Sequence, residues 1–257
     1  MKLQAFLAGA AMLAIGSLQP ANAETLTVGS TPTGVPFTFL DIQTNEIQGM
    51  MVDLVRAVGQ EAGFEVTVQP VDFGSLIPSL TSRRIDIIAA AMIATDARRE
   101  VIDFSQEVMP YGEGVVVAAG FEGGISPTFE ELRGEVIGVQ QGTTYLDRLQ
   151  SMDVFGEVRV YDSLADILNE VNRGRIAAGM GDKPIMAYQM SQGRFPEVKM
   201  ADYESQQTGS VGLGVRKDDT ALLERIDGAL AKLKENGTVD ELSLIHISEP
   251  TRLGMIS

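Results

Sequence analysis

The stretch SLIPSLTSRRIDIIAAAMIATDARREVIDFS, residues 75–105, combines three signals of local structure. Residues 76–82 have the spacing of a short helix with Pro78 in its first turn, and residues 85–91 form an apolar run that is typical of a buried strand. Thr95 then has the chemistry of a helix N-cap. This order predicts an α/β fold in which the capped turn follows the carboxyl end of a strand, where open α/β sheets bind ligands.

The capped turn carries two adjacent arginines, Arg98 and Arg99. A guanidinium held there by local backbone geometry can offer a carboxylate two parallel hydrogen bonds. The alternative is that both arginines form ion pairs with acidic neighbours on a solvated surface. Those neighbours are Asp96, Glu100 and Asp103. The residues alone leave both interpretations open.

Outward from this stretch, short β-branched runs alternate with amphipathic helical segments, which is the pattern of βαβ units. Two glycine-punctuated extended segments interrupt the pattern, PYGEGVVVAAG at residues 110–120 and GSVGLGVRKDD at residues 209–219. They predict two lobes joined by two strands, with glycines that permit hinge motion. Ordinary strand ends have a similar composition, so spacing alone does not establish a hinge.

Residues 1–23 have the three parts of a secretory signal peptide: Lys2, an apolar run at residues 5–18 and the sequence Pro-Ala-Asn-Ala at residues 20–23. A membrane anchor is the alternative, but about 14 apolar residues are fewer than the roughly 20 that span a bilayer. We expect cleavage before Glu24 and a periplasmic mature protein. The chain has no cysteine, which excludes disulfides, a lipid-modified cysteine and thiolate metal sites.

The last residues, LSLIHISEPTRLGMIS at positions 242–257, break the amphipathic pattern of the preceding helix. One reverse translation of them resembles a transposon-based sequencing adapter, so we expect a non-native tail; an unusual native tail is the alternative. His246, the only histidine, lies in this segment. On our interpretation it has no functional role, which removes histidine nucleophile triads and histidine metal sites. We expect no metal and no other cofactor.

The chain is strongly acidic, with 35 acidic residues, 20 basic residues and a formal net charge of -15. This charge argues against nucleic acid as a partner. Solubility is a simpler explanation of the acidity than a specific cationic partner. We expect a monomer.

Residues 75–105 and four further segments resemble the family 3 periplasmic solute-binding proteins, the polar amino acid receptors of ABC importers. The further segments are GVPFTFLD at 34–41, GMMVDLVRAVGQEAGFEV at 49–66, VIGVQQGTTYLD at 136–147 and LLERIDGALAKLKENGT at 222–238. The resemblance implies a two-lobed α/β periplasmic binding protein fold of type II. In that fold each lobe is a mostly parallel sheet flanked by helices, and two hinge strands join the lobes. The implied boundaries are residues 24–112 plus 211–241 for lobe 1 and residues 113–210 for lobe 2.

The resemblance also implies roles for individual residues. Arg98 matches the arginine of the T-x-x-R motif that binds the ligand carboxylate, and Thr143 and Thr144 match a loop that meets the same carboxylate from the second lobe. Asp182 matches the acid that receives the ligand ammonium, although it could simply cap the following helix. Phe73 matches a residue that packs on the ligand side chain, with core packing as the alternative.

Several positions depart from the family pattern. Ile93 and Ala91 stand where relatives often carry hydroxyl residues, so Ile93 can serve a ligand only through its backbone N–H. Gly34 replaces a frequent stacking tyrosine, Thr31 stands where receptors of cationic amino acids can carry an acid, and Gln140 replaces an aliphatic residue. We expect a roomier, less acidic pocket that disfavours lysine and arginine and suits glutamine-like, apolar or modified amino acids.

The function implied is that of an extracytoplasmic substrate-binding protein of an ABC importer, whose partners are an amino acid-like ligand and the importer membrane subunits. This interpretation includes no catalytic residue. One alternative is an enzyme on the same fold, a cyclohexadienyl (prephenate or arogenate) dehydratase. The other is a ligand-sensing receptor partner.

Overall fold

The computed structural model describes residues 23–248. Residues 1–22 of the predicted signal peptide and residues 249–257 of the predicted tail lie outside this range. The strands are β1 (Glu24–Ser30), β2 (Thr33–Gly34), β3 (Thr38–Asp41), β4 (Glu46–Gln48), β5 (Phe64–Pro70), β6 (Ile87–Ile88), β7 (Ile102–Phe104), β8 (Met109–Ala118), β9 (Val136–Gln140), β10 (Glu157–Tyr161), β11 (Ala178–Asp182), β12 (Val198–Met200), β13 (Thr208–Val211) and β14 (Gly214–Arg216). The helices are α1 (Met50–Ala62), α2 (Leu76–Thr81), α3 (Asp96–Arg99), α4 (Thr144–Gln150), α5 (Leu164–Asn172), α6 (Lys183–Ser191), α7 (Thr220–Glu235) and α8 (Thr238–Ser243).

The first sheet has the strand order β5-β1-β6-β14-β7. β1 is parallel to β5 and to β6, and Val28 at its centre pairs with Val68 on one side and Ile87 on the other. β14 is antiparallel to β6 and to β7. The sheet is therefore mixed, because the strand that returns from the second lobe enters it in the opposite direction.

Helix α1 illustrates how the local sequence sets an element of this lobe. Its buried residues include Leu54, Val55 and Val58, which recur at helical spacing and face the core. The helix ends at Gly63, whose φ of 78° is the left-handed conformation that favours glycine at a helix C-terminus.

The second sheet has the strand order β10-β9-β11-β8-β12. β9 is parallel to β10 and to β11, whereas β8 is antiparallel to β11 and β12. Ser163 caps the N-terminus of helix α5, where its side chain accepts a hydrogen bond from the N–H of Asp166. This sheet is also mixed, and its antiparallel part is again built on a strand that crosses between lobes.

The chain passes between the two sheets along β8 and β13. The first residues of β8, Met109 to Gly112, pair antiparallel with β13, and its later residues pair with β11 inside the second sheet. β14 then follows β13 and completes the first sheet. Two adjacent antiparallel strands therefore connect the lobes.

None of the helices in residues 23–248 has the length and apolar character that a bilayer crossing requires.

The apolar run at 85–91 is a regular strand only at Ile87–Ile88, which differs from the longer strand that its pattern predicts. Three residues after the strand ends, Ala91 adopts a φ of 49°, in the left-handed region that a residue with a Cβ rarely occupies, and the backbone bends there. Beyond this bend, Ala94 donates its N–H to the carbonyl of Ser210 in β13. The bend carries residues 91–93 toward the space between the lobes.

The first residues of the predicted tail continue the helical C-terminal region. A short π-helix covers Leu244–Ser248, and the side chain of His246 is buried. Its Nε2 lies 2.9 Å from Oδ2 of Asp53 on α1. The origin of this segment and the absence of a role for His246 stay predictions.

Candidate ligand-binding site

A narrow cavity of about 10 Å³, space for about one water molecule, lies between the two lobes. An amino acid therefore needs the lobes to lie further apart than they do here, and the roomier pocket expected from the sequence is not present in this arrangement. Four of the cavity's lining residues belong to the first lobe and four to the second. They are Phe73, Ala91, Ile93 and Arg98, and Thr143, Thr144, Tyr145 and Asp182. The cavity thus combines one guanidinium, one carboxylate, hydroxyl groups and an apolar wall.

Arg98 is held in the cavity wall by its own turn and by both lobes. Thr95 caps α3 by accepting the N–H of Arg98, as the sequence predicts. The guanidinium donates through Nη1 to the carbonyl of Ile93 over 2.8 Å and through Nη2 to the carbonyl of Gly142 over 3.2 Å. It also lies 5.5 Å from the centre of the Phe73 ring. A guanidinium has five N–H groups, so donors remain for a carboxylate.

The two adjacent arginines differ in environment. Arg98 is 9% exposed, whereas Arg99 is exposed and its guanidinium lies over the ring of Phe104 at 5.4 Å. Among the ion pairs of residues 23–248 neither arginine takes part, and Asp103 pairs instead with Lys217. The structure therefore contradicts the alternative in which both arginines form ion pairs on a solvated surface.

Asp182 supplies the acid of the cavity. It occupies the last position of β11 directly before α6, but its side chain makes no capping hydrogen bond. Its Oδ1 instead accepts a hydrogen bond of 2.8 Å from the Tyr145 hydroxyl. Burial raises the pKa of Asp182 to about 6, while this hydrogen bond and the Arg98 charge act in the opposite direction.

The threonines of the second lobe are fixed by neighbouring polar groups. Thr143 donates its hydroxyl to the carbonyl of Gln140 over 2.8 Å, and Thr144 donates to the side-chain oxygen of Gln207 over 3.1 Å. Gln207 lies directly before β13. The cavity wall is therefore linked by a hydrogen bond to the segment that leads into the second crossing.

Glu113 on β8, which pairs across the sheet with Asp182, forms a second buried polar centre. Its carboxylate accepts from the side chains of Arg148, Tyr203 and Ser205 and from two backbone N–H groups, those of Gln206 and Gln207. Burial alone raises the pKa of Glu113, but the hydrogen bonds from Ser205 and from the two backbone groups hold it below its ordinary value. The charged form of Glu113 thus ties the two crossing segments together.

Two of the residues suggested for the site lie outside the cavity lining. Gln140 is buried and donates its side-chain amide to the carbonyl of Asp162 over 2.9 Å. Gly34 lies in β2, where a Cβ would be 3.1 Å from the hydroxyl of Thr31, and Thr31 hydrogen-bonds Thr38 over 2.6 Å. Contact of Gln140 or Gly34 with a ligand stays a prediction.

Tyr145 is the lining residue that the sequence reasoning missed. It is buried on α4 and places its hydroxyl on Asp182. The family resemblance of the segment GTTYLD assigns roles to its threonines alone, whereas a buried aromatic on an amphipathic helix has the pattern of an ordinary core residue. Within residues 23–248 no group of three or more histidine, aspartate or glutamate side chains is placed to hold a metal ion.

The family model of the bacterial extracellular solute-binding proteins, family 3, matches residues 26–248. The chain belongs to this family. The predicted resemblance is therefore confirmed.

Individual relatives and solved structures agree with the family assignment. The ABC transporter arginine-binding protein 1 of Escherichia coli K12 is 31% identical over 239 residues, which cover 91% of this chain and 95% of the relative. The solved structure of an ancestral arginine-binding protein bound to glutamine has a TM-score of 0.79 and 30% identity, covering 88% of this chain and 98% of that one. The solved ancestral amino acid-binding protein AncCDT-1, a precursor of cyclohexadienyl dehydratase, has a TM-score of 0.76 and 27% identity, covering 87% of this chain and 95% of that one. The two-lobed α/β fold class is confirmed.

Proposed function

We propose that this protein is the substrate-binding component of an ABC importer and that it holds one amino acid zwitterion in the cavity between its lobes. The observation that carries the proposal is that a buried cation and a buried anion, Arg98 and Asp182, line the same cavity from opposite lobes. An α-amino acid carries the complementary pair of charges. Each lobe then contributes one half of the recognition.

The carboxylate and the ammonium of the ligand are bound by different groups. The guanidinium of Arg98 donates charge-assisted hydrogen bonds to the ligand carboxylate, and the carboxylate of Asp182 accepts from the ligand ammonium. Thr143 and Thr144 line the second-lobe side of the same cavity. Their hydroxyl protons are donated to Gln140 and Gln207, so these hydroxyl oxygens can serve a ligand only as acceptors. For a ligand of about ten heavy atoms, an upper bound of roughly 1.5 kcal/mol per atom allows micromolar affinity or better.

The lining favours a ligand with a neutral side chain. Asp182 is the one acid among the eight lining residues, and its charge is needed for the α-ammonium. A second cationic group of arginine or lysine would be desolvated without an anionic partner in that lining, which costs binding free energy. Phe73, Ala91 and Ile93 supply apolar contact instead.

The remaining parts of the proposal concern the surroundings of the protein. Its partners are the membrane subunits of the importer, which meet the surface formed when both lobes enclose the ligand. Its location is the periplasm, and it acts as a monomer. The acidic net charge of -15 is compatible with a solution protein that does not bind nucleic acid.

Dehydratase chemistry is a second candidate, because the buried acid Asp182, with its pKa raised to about 6, has the property needed to protonate a leaving hydroxyl. The structural similarity to AncCDT-1 adds to this candidate. We favour binding over catalysis because the cavity contains one acid and no second acid to act with it. Incubation with prephenate decides the matter: release of phenylpyruvate above the background rate establishes the enzyme.

The experiment that tests the proposed function is a thermal-shift screen of the purified chain against the twenty L-amino acids, followed by calorimetry on every compound that raises the melting temperature. We expect saturable binding of at least one neutral α-amino acid with one site per chain. The same screen includes the corresponding amino-free acids and carboxyl-free amines as controls. If no α-amino acid binds, the proposal is wrong.

A further inference from the structure

The family resemblance gives no role to the hydroxyl of Tyr145. Tyr145 is the second residue of α4, and both its ring and its hydroxyl are buried at the cavity wall. The hydroxyl donates to Oδ1 of Asp182 over 2.8 Å. Because α4 and β11 are separate elements, this bond fixes the carboxylate of one element from the side chain of another.

The hydrogen bond determines which carboxylate oxygen is available. Tyr145 occupies Oδ1 of Asp182. Among the side-chain hydrogen bonds of residues 23–248, Oδ2 of Asp182 takes part in none, and the Asp182 side chain lines the cavity. Rotation of the carboxylate about its last torsion would exchange the two oxygens, and that torsion has a broad energy minimum when nothing holds it. The bond from Tyr145 removes this freedom.

We propose that Tyr145 is a positioning residue for ammonium recognition: it holds Asp182 through Oδ1 so that Oδ2 faces the ligand ammonium. The inference rests on the proposed function, because it presupposes that Asp182 receives an ammonium group. Tyr145 itself acts through Asp182 and need not touch the ammonium.

The charged and titratable groups around Asp182 give the inference a measurable consequence. They are Arg98 on α3, Tyr145 on α4, and Tyr111 and Glu113 on β8. Burial raises the pKa of Asp182 and the Glu113 charge adds to the rise, whereas the Tyr145 hydrogen bond and the Arg98 charge lower it. Removing the Tyr145 hydroxyl therefore raises the pKa of Asp182 further. The carboxylate is then protonated, and lost as an ammonium acceptor, at a higher pH.

The test uses Tyr145→Phe, which removes the hydroxyl and keeps the ring, together with Asp182→Asn and the double variant. Calorimetry is carried out between pH 5 and pH 8 with L-glutamine, or with the neutral L-amino acid of highest affinity in the screen, and with the amino-free acid of the same compound. We expect Tyr145→Phe to weaken amino acid binding about tenfold near neutral pH. We also expect the midpoint of the acid limb to rise by about one pH unit.

Two controls separate positioning from a general structural effect. The amino-free acid has no ammonium for Asp182 to receive, so Tyr145→Phe should not weaken its binding as it weakens binding of the amino acid. In the Asp182→Asn background the Tyr145→Phe change has no further effect on amino acid binding, because the positioned carboxylate is already gone. A general loss of stability in the variant would weaken the binding of both compounds equally.

The outcomes are distinguishable from those of the proposed function. A wild type that binds no α-amino acid overturns the proposed function and this inference together. A wild type that binds, with a Tyr145→Phe variant whose affinity and acid limb match it, overturns the positioning role alone. An equal loss in the wild-type and Asp182→Asn backgrounds also overturns it.

Discussion

Gly142 and Gly74 meet backbone to backbone across the cleft, so closely that a Cβ on Gly142 would lie 2.5 Å from the Cα of Gly74. Gly142 belongs to the loop before α4 in the second lobe, and Gly74 belongs to the turn before α2 in the first lobe. The carbonyl of Gly142 also accepts the hydrogen bond from Arg98. The closed arrangement of the lobes therefore requires glycine at position 142 for steric reasons as well as for its φ of 77°.

The first prediction concerns this contact. We expect Gly142→Ala to weaken amino acid binding at least tenfold, because the added methyl group holds the lobes apart and prevents both from reaching the ligand. The measurement is calorimetry combined with small-angle scattering of the ligand-saturated protein, which should show a larger radius of gyration than the wild type.

The matched control is Gly174→Ala. Gly174 also lies in the second lobe with a φ of 67°, but a Cβ there would meet no atom within 4 Å. Both substitutions carry a backbone strain of roughly 1–2 kcal/mol, so only the clash differs. Equal ligand affinities of the two variants would show that the contact does not limit closure.

The second prediction is a pH-dependent gain of stability in Asp182→Asn. The pKa of Asp182 is raised from 3.8 to about 6 in the folded protein. Folding therefore favours protonated Asp182 over the carboxylate, relative to the unfolded chain. The resulting contribution to stability is fully present below pH 3.8 and is lost as the pH rises through about 6. A rise of this size corresponds to a loss of about 3 kcal/mol at high pH.

Urea unfolding of the ligand-free protein measures this effect. We expect Asp182→Asn to be more stable than the wild type at pH 8 and about equal to it at pH 4, because asparagine can still accept the Tyr145 hydroxyl without carrying charge. The same variant should lose amino acid binding. Lower stability of the variant at pH 8 would contradict the assigned environment of Asp182.

The third prediction concerns the buried carboxylate of Glu113. Glu113→Ala removes the anionic partner of Arg148 and the acceptor of two backbone N–H groups. Breaking a buried ion pair in this way costs about 3–5 kcal/mol of unfolding free energy. Urea unfolding checks the value. The control is Glu130→Ala, which removes an exposed ion pair with Arg133 and should change stability little. Equal losses of unfolding free energy in the two variants would show that Glu113 does not stabilise the contact between β8 and the segment before β13.

The fourth prediction concerns ligand choice. We expect L-glutamine or another neutral amino acid to bind more tightly than L-arginine, by tenfold or more, because the lining has no acid besides Asp182. Competition calorimetry with both compounds gives the ratio directly. Tighter binding of arginine would show that an acidic group outside the lining reaches the ligand side chain.

Sequence patterns were sufficient where the determinant is local. The spacing of Thr95 and Arg98 predicts a capped turn that fixes the arginine, and the structure forms it. Helix α1 likewise has its buried residues at helical spacing and ends at Gly63 in the left-handed conformation. Both depend on groups a few residues apart, so the pattern contains the information.

The same patterns could not predict features that depend on distant parts of the chain. Tyr145 gains its role from Asp182, which approaches it only when α4 and β11 pack in one lobe. The strand at Ile87–Ile88 is followed by Ala91 with a positive φ, and the N–H of Ala94 then donates to the carbonyl of Ser210 in β13. The periodicity of an apolar run contains no information about such partners.

The most direct test of the account compares Arg98→Ala with Arg99→Ala by calorimetry, using the neutral amino acid of highest affinity. Arg98 is buried in the cavity wall and Arg99 is exposed one residue later, so the pair separates a specific contact from a general change of charge. We predict that Arg98→Ala costs about 2–5 kcal/mol of binding free energy and that Arg99→Ala leaves the affinity unchanged. An Arg98→Ala variant that binds as tightly as the wild type would contradict the central claim that this guanidinium receives the ligand carboxylate.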